Sequence, residues 1–301
     1  MAFSDESSHN SGRFRGIGVV SFPKERLDML LEKLGKLIKE SDVSEIKWKK
    51  IRTAKYRFAA IKVIDLVIDE AVKGNLRVDV IIWDTEDSRH KIVGRDDNEN
   101  LRWMYFQLFR NVLRLRWSSN SKWILFPDEN SIINWQVTHG KLNTAAKFIE
   151  LEKEETHSSK TSMFRDHENY LDTFADQIKS FNVLEILEVN STNTLLSQVA
   201  DLFVGVGVFS HQQYYSYDSW CLNHSPQMRF EFMEINKTNF TPKEDEHCFV
   251  LNHLSEGCKQ AKFAVSLNNT NGLFTRNPSK PMNFWLYQPQ GEYDKAPVRK
   301  K

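Results

Sequence analysis

The sequence predicts a mixed α/β fold in which a β-sheet is layered with helices. Residues 14–22 are rich in β-branched side chains and predict a strand that forms a hairpin with a very short first strand at residues 2–4. Apolar residues then recur at helical spacing after Pro23 and again between residues 56 and 71. Alternation resumes in residues 76–82, which predicts a third strand. A hairpin followed by helices and a further strand is typical of a sheet covered by helices.

The remainder of the chain continues this pattern and then loses it. A long helix is predicted over residues 99–117, and strands over residues 123–126 and 183–189. We expect a core at residues 1–210 with an inserted charged segment near residues 150–165. Periodicity weakens after residue 210, so residues 211–301 are predicted to be a C-terminal extension packed on the core.

The composition excludes several classes of protein. The net charge is +1, from 41 basic and 40 acidic residues, so a nucleic-acid surface would have to be a local patch. Three cysteines do not make a disulfide framework and fit a reducing compartment. The first residues lack the basic and apolar regions of a signal peptide, and no apolar run approaches membrane-spanning length. We therefore expect a cytoplasmic protein with no membrane partner, and an oligomer is compatible with the sequence.

One acidic residue, Asp201, stands in a strongly apolar predicted helix. Leu195, Val199 and Leu202 form one stripe at helical spacing, and Asp201 shares the narrow remaining face with small and polar residues. One interpretation is that this face is exposed to solvent. The other is that the helix delivers Asp201, as a metal-binding carboxylate, to a site on the sheet.

Other carboxylates are predicted to lie where elements end. Asp5 follows the first strand and Asp84 the third, and we expect these strands to be neighbours that present both carboxylates at one edge of the sheet. Glu45 precedes the second helix. Mg²⁺ prefers such oxygen ligands, and two ions roughly 3.5–4 Å apart serve phosphodiester hydrolysis. Gly16 and Gly18 would leave one strand face bare for the close approach of another element.

Three short motifs are similar to those of a prokaryotic family, the domain of unknown function numbered 3800, in the ribonuclease H-like superfamily. They are Asp5-Glu-Ser, Glu45-Ile-Lys-Trp and the helical Ser197-Gln-Val-Ala-Asp201-Leu-Phe-Val-Gly205, in the order and spacing of the family. Ser8 stands where the family usually has Gly, and the first strand is unusually short. The resemblance implies a ribonuclease H-like sheet. It also implies Asp5, Glu45 and Asp201 as ligands of Mg²⁺ or Mn²⁺, with Asp84 as the strand-end carboxylate.

An arginine-rich stretch falls on the predicted helix at residues 99–117. Arg102, Arg110 and Arg114 recur at multiples of four residues beside Trp103 and Phe106. This pattern predicts either a stripe that contacts phosphates, with aromatics that stack on bases, or an ordinary solvated charged face.

Taken with the resemblance, the sequence predicts a metal-dependent nuclease that hydrolyses RNA or DNA through a two-metal site. The alternative is a non-catalytic nucleic-acid-binding or scaffold protein of the same fold in a mobile-element or phage-defence system. No nucleophile elbow, Walker loop or zincin motif supports another chemistry.

Overall fold

The computed structural model describes residues 1–7, 12–87, 96–118, 120–129, 133–140, 142–143, 182–224, 240–267 and 271–288. The chain divides into two compact units. The first combines residues 1–95, 126–129 and 188–301, and the second combines residues 96–125 and 130–187.

The first unit contains most of the elements. Its complete strands are β1 (Ala2–Ser7), β2 (Phe14–Ser21), β3 (Arg77–Asp84), β6 (Val265–Ser266), β7 (Phe274–Thr275) and β8 (Met282–Leu286). The strand β4 (Lys122–Pro127) belongs to it only from residue 126 onward. Its helices are α1 (Leu27–Ser41), α2 (Ala54–Val72), α4 (Leu195–Gln212), α5 (Tyr214–His224) and α6 (Pro242–Gln260). Two short 3-10 turns, Lys24–Arg26 and Trp48–Lys50, precede α1 and α2.

The sheet of the first unit has a ribonuclease H-like strand order. β2 pairs antiparallel with both β1 and β3, so the three strands form a meander. The end of β4 returns beside β1, where the backbone amide of Asp128 donates to the carbonyl of Ser4 at 2.9 Å. β8 adds to the far edge, parallel to β3. The predicted mixed α/β class with a ribonuclease H-like sheet is therefore confirmed.

Helix α4 packs on this sheet at unusually short range, as the glycines of β2 predict. A Cβ atom on Gly18 would lie 2.7 Å from the carbonyl oxygen of Ala200, and one on Gly16 would lie 2.9 Å from Val204 and Val208. The helix is also covered on the side away from the sheet, where a Cβ on Gly205 would lie 2.3 Å from Trp48. Sequence periodicity indicates only one buried stripe, but the structure buries α4 on almost every side.

The second unit is built around the arginine-rich helix. α3 (Asp97–Gln107) continues through a π-helical segment, Leu108–Leu113, and ends with the turn Arg114–Arg116. Tyr105 and Phe109 are fully buried and pack on Trp135. Within this unit, residues 122–125 of β4 pair in parallel with β5 (Asn182–Ile186).

Two predicted boundaries differ from the structure. β1 continues to Ser7 rather than ending before Asp5, because its pairing with β2 extends along the whole hairpin. No break in the fold falls at residue 210, since α4 runs through that position and residues 188–301 share one compact unit with residues 1–95. The charged insertion predicted near residues 150–165 lies outside the described residues.

Every helix in the described ranges falls short of what crossing a bilayer requires.

Candidate functional site

A cleft of about 650 Å³ opens in the first unit. It is bounded by the end of β1, the turn at residues 47–49, helix α4 and the start of α6. Five acidic side chains and three lysines line it: Asp5, Glu6, Asp128, Asp201, Glu244, Lys47, Lys49 and Lys243. The excess of carboxylates leaves the cleft acidic in a chain whose overall charge is almost balanced.

Asp5 enters the cleft from β1. Its side chain is buried, with 5% of the residue exposed, and its Oδ1 accepts a hydrogen bond from the amide of Glu6 at 2.8 Å. Burial raises the pKa of Asp5, and the charges of Asp201 and Asp128 raise it further, to about 9. A buried carboxyl that faces like charges holds its proton unless a cation compensates them.

Asp201 enters from α4. Its Oδ2 accepts a hydrogen bond of 2.6 Å from the backbone amide of Trp48. Burial raises the pKa of Asp201 to about 6, although the Trp48 amide and the charges of Lys47 and Lys49 act to lower it. The face of α4 that carries Asp201 is thus directed at the cleft, and the interpretation of it as a solvated helix face is wrong.

Asp128 lines the cleft, and the sequence analysis did not name it. It follows β4 directly, and its Oδ1 accepts from the amide of Ser191 at 2.7 Å. The sequence signal was present, since Asp128 follows a short apolar strand just as a strand-end carboxylate should. Only the position of β4 beside β1 shows that this strand end, rather than that of β3, lies near Asp5.

Asp84 is not brought to the cleft, which corrects the prediction for this residue. β2 separates β3 from β1, and the register sets Asp5 against Gly18 and Gly18 against Val80. Asp84 therefore lies four residues further along β3, about 13 Å along the strand and about 10 Å across the sheet. The carboxylate pairs with Arg13 at 2.6 Å. Burial acts to raise the pKa of Asp84, but the hydrogen bonds from Arg13 and the Glu86 amide outweigh it, and the pKa is lowered.

Glu45 is not among the residues that line the cleft. Its carboxylate forms an ion pair with Lys50 at 3.1 Å, whereas the next residues of the segment, Lys47, Trp48 and Lys49, line the cleft. The segment therefore reaches the site as predicted, but it presents lysines and a backbone amide there instead of Glu45.

A buried glutamine joins the segments that hold these carboxylates. The side chain of Gln198, with 2% of the residue exposed, accepts from the amide of Ile46 at 3.0 Å. Its amide group donates to the carbonyls of Ser191 and Thr192 at 3.1 and 2.9 Å. Gln198 thus ties α4 to the turn that binds Asp201 and to the loop that binds Asp128.

The donor set fits a hard divalent cation in its chemistry. Asp5, Asp128 and Asp201 each have one oxygen bonded to a backbone amide. Within the described part of the chain no further hydrogen bond reaches these carboxylates, so each has a second oxygen for a ligand. No three His, Cys, Asp or Glu side chains among the described residues already stand in a metal-holding arrangement.

The arginines of the second unit are neither a simple solvated face nor fully buried. Arg110 lies over the ring of Phe106 at 5.5 Å, and burial lowers the pKa of Arg110. Burial likewise lowers the pKa of Arg114, with a contribution from the charge of Arg110. Arg102 lies 4.0 Å from Glu99. Their contact with phosphates stays a prediction.

The fold and the cleft together define the class: a mixed α/β protein with a ribonuclease H-like sheet and an acidic cleft on it. Two relatives from Methanothermobacter thermautotrophicus, Uncharacterized protein ORF2′ and Uncharacterized protein ORF2, are each 36% identical to this chain over 307 residues. Each alignment covers 99% of this chain and 98% of the relative. The chain belongs to the family of these ORF2 proteins. No family model matches it.

Among solved structures, the chain is similar to one in the complex of PCNA and RNase HII from Archaeoglobus fulgidus. The TM-score is 0.36 at 11% identity, covering 79% of this chain and 80% of that one. A likeness at this level carries nothing about activity, and the fold class rests on the strand order.

Proposed function

We propose that this protein is a metal-dependent nuclease that hydrolyses phosphodiester bonds of RNA or DNA in the cleft. The observation that carries the proposal is the convergence of Asp5, Asp128 and Asp201 from three different elements on one cleft of a ribonuclease H-like sheet. Asp5 is buried, and the charges of Asp201 and Asp128 raise the cost of ionising it, which a structural role alone gives no reason to accept.

The residues of the chain prepare the site before any ligand enters. Backbone amides fix one oxygen of each carboxylate, so the side chains lose little freedom on binding. Gln198 holds two of the supporting segments against α4. Such support is needed because a small misplacement of ligands is costly in rate.

Asp5, Asp128 and Asp201 would hold Mg²⁺ or Mn²⁺. The bound cation would neutralise charge on the phosphate and lower the pKa of water at the site. Membership of the domain-of-unknown-function 3800 family and a cytoplasmic location belong to the same proposal, and Asp128 takes the place that the sequence assigned to Asp84.

A non-catalytic nucleic-acid-binding or scaffold protein of the same fold is the second candidate. It is favoured by one observation, that no three acidic or metal-ligating side chains in the described ranges already stand close enough to hold an ion. A protein that had lost catalysis would tolerate loss of the carboxylates without any change in what it binds.

Cleavage assays with single variants separate the candidates. Purified protein is incubated with labelled RNA, DNA and hybrid duplexes, with Mg²⁺, Mn²⁺ or EDTA. Asp128→Asn and Asp201→Asn should each slow cleavage by at least roughly 100-fold. Asp84→Asn, which changes the same chemical group outside the cleft, should not slow it. Equal rates for Asp128→Asn and the wild type would refute the assignment, and no metal-stimulated cleavage of any substrate would favour the binding protein.

A further inference from the structure

We propose that Lys47 is the residue of the cleft that contacts the scissile phosphate and supplies positive charge to it. This inference deepens the proposed function and rests on it. It concerns which group neutralises the phosphate, and it replaces the expectation of a site built from four carboxylates.

The position of Lys47 is fixed by the same loop that fixes Asp128. The ammonium of Lys47 donates to the hydroxyl of Ser191 at 2.9 Å, while the amide of Ser191 donates to Asp128 at 2.7 Å. The next amide along the chain, that of Trp48, is bonded to Asp201. Lys47 is therefore held in the cleft between the attachments of two of its carboxylates.

Lys47 retains donors for a ligand. A lysine ammonium has three N–H groups, and Ser191 accepts one of them. Among the described residues, its ammonium has no carboxylate oxygen within 4.0 Å, although its charge lowers the pKa of Asp201. Among the three lysines that line the cleft, Lys47 is half-buried and bonded to Ser191, whereas Lys49 and Lys243 are exposed. A half-buried lysine that lines an acidic cleft without an ion pair is available to an anion.

The same segment explains why Lys47, rather than Glu45, lines the cleft. Glu45 and Lys47 are two residues apart, and the chain directs Glu45 to Lys50 while Lys47 lines the cleft.

The role does not require Lys47 to transfer a proton. The reaction balances as water plus phosphodiester giving a phosphomonoester and a hydroxyl group. The water oxygen forms the new bond to phosphorus, one ester bond breaks, and protons exchange with solvent. Lys47 keeps its three protons and donates hydrogen bonds to a non-bridging oxygen as charge accumulates there.

The test compares Lys47→Met with Lys50→Met, which removes the same charge from the same segment outside the cleft. Binding of a labelled DNA duplex is measured in EDTA over a range of salt concentrations, so this readout is independent of cleavage. Lys47→Met should reduce the slope of log affinity against log salt by about 0.9, the value for one lost phosphate contact. Lys50→Met should leave it unchanged. With Mg²⁺, Lys47→Met should also slow cleavage by about 100-fold or more.

Each result decides one question. Equal salt slopes for Lys47→Met and Lys50→Met overturn the inference, whether or not the wild type cleaves. A wild type that binds with the predicted difference in slope but cleaves no substrate keeps the phosphate contact and refutes the nuclease. Lys47→Arg is the control for misfolding, because it keeps the positive charge and should restore the salt slope of the wild type. A slope that stays low in Lys47→Arg with an unchanged melting temperature would also overturn the inference.

Discussion

The substitution Asp5→Asn tests the electrostatics of the cleft through stability alone. Asp5 has a pKa of about 9 in the folded protein, raised by burial and by Asp201 and Asp128, against an ordinary value of 3.8. Between these values the folded state holds a proton that the unfolded state has released. The unfolded state then binds fewer protons, so the free energy of unfolding falls as pH rises.

The size of the effect follows from one proton. The slope is about 1.4 kcal/mol per pH unit, so the wild type should lose about 2 kcal/mol between pH 7.0 and 8.5 through Asp5. Asn resembles protonated Asp and keeps the oxygen that accepts from the Glu6 amide. Asp5→Asn should therefore lack this loss and be more stable than the wild type at pH 8.5.

Urea unfolding of metal-free protein at several pH values measures the effect as a difference between variants, so groups common to both cancel. Asp84→Asn is the matched control, because the pKa of Asp84 is lowered and the group is ionised in both states over this range. A saturating divalent cation should flatten the wild-type dependence by allowing Asp5 to ionise. If the wild type and Asp5→Asn have parallel profiles, Asp5 is not protonated in the fold and the account of the cleft fails.

Three further predictions concern the support of the site and the second unit. Gln198→Ala should lower the free energy of unfolding by roughly 2–3 kcal/mol, since it leaves buried partners unpaired. Its control is Ser197→Ala, which removes a hydroxyl without a partner in the described structure, and chemical denaturation should show almost no change in the free energy of unfolding. Gly205→Ala should cost about 1–3 kcal/mol by displacing Trp48. Its control, Gly35→Ala in the open face of α1, should gain up to about 1 kcal/mol, and an equal melting temperature for the two would contradict the close packing. Replacing Arg102, Arg110 and Arg114 together should reduce the salt slope of nucleic-acid affinity by about one unit per lost contact. An unchanged slope would leave these arginines a structural role.

Local sequence patterns determined the elements and one close contact. Alternation and helical spacing are properties of neighbouring residues, so they located β2, β3 and the two helices between them to within a few residues. Gly16 and Gly18 predicted the close approach of another element to β2, because the absence of a side chain leaves space on the strand in any fold. Asp5 and Asp201 were predicted as site residues by the motifs around them, and the structure places both on one cleft.

Only the tertiary structure decided which other residues join them. Asp84 and Asp128 both stand at the end of an apolar strand, and their local sequences do not say which strand lies beside β1. That choice depends on β4 returning to the far side of β1, a contact between residues more than a hundred positions apart. The exchange of Glu45 for Lys47 has a similar cause. The backbone amides of Ile46 and Trp48 donate hydrogen bonds to side chains of α4, which lies about 150 residues later. These bonds set which side chains of the segment line the cleft.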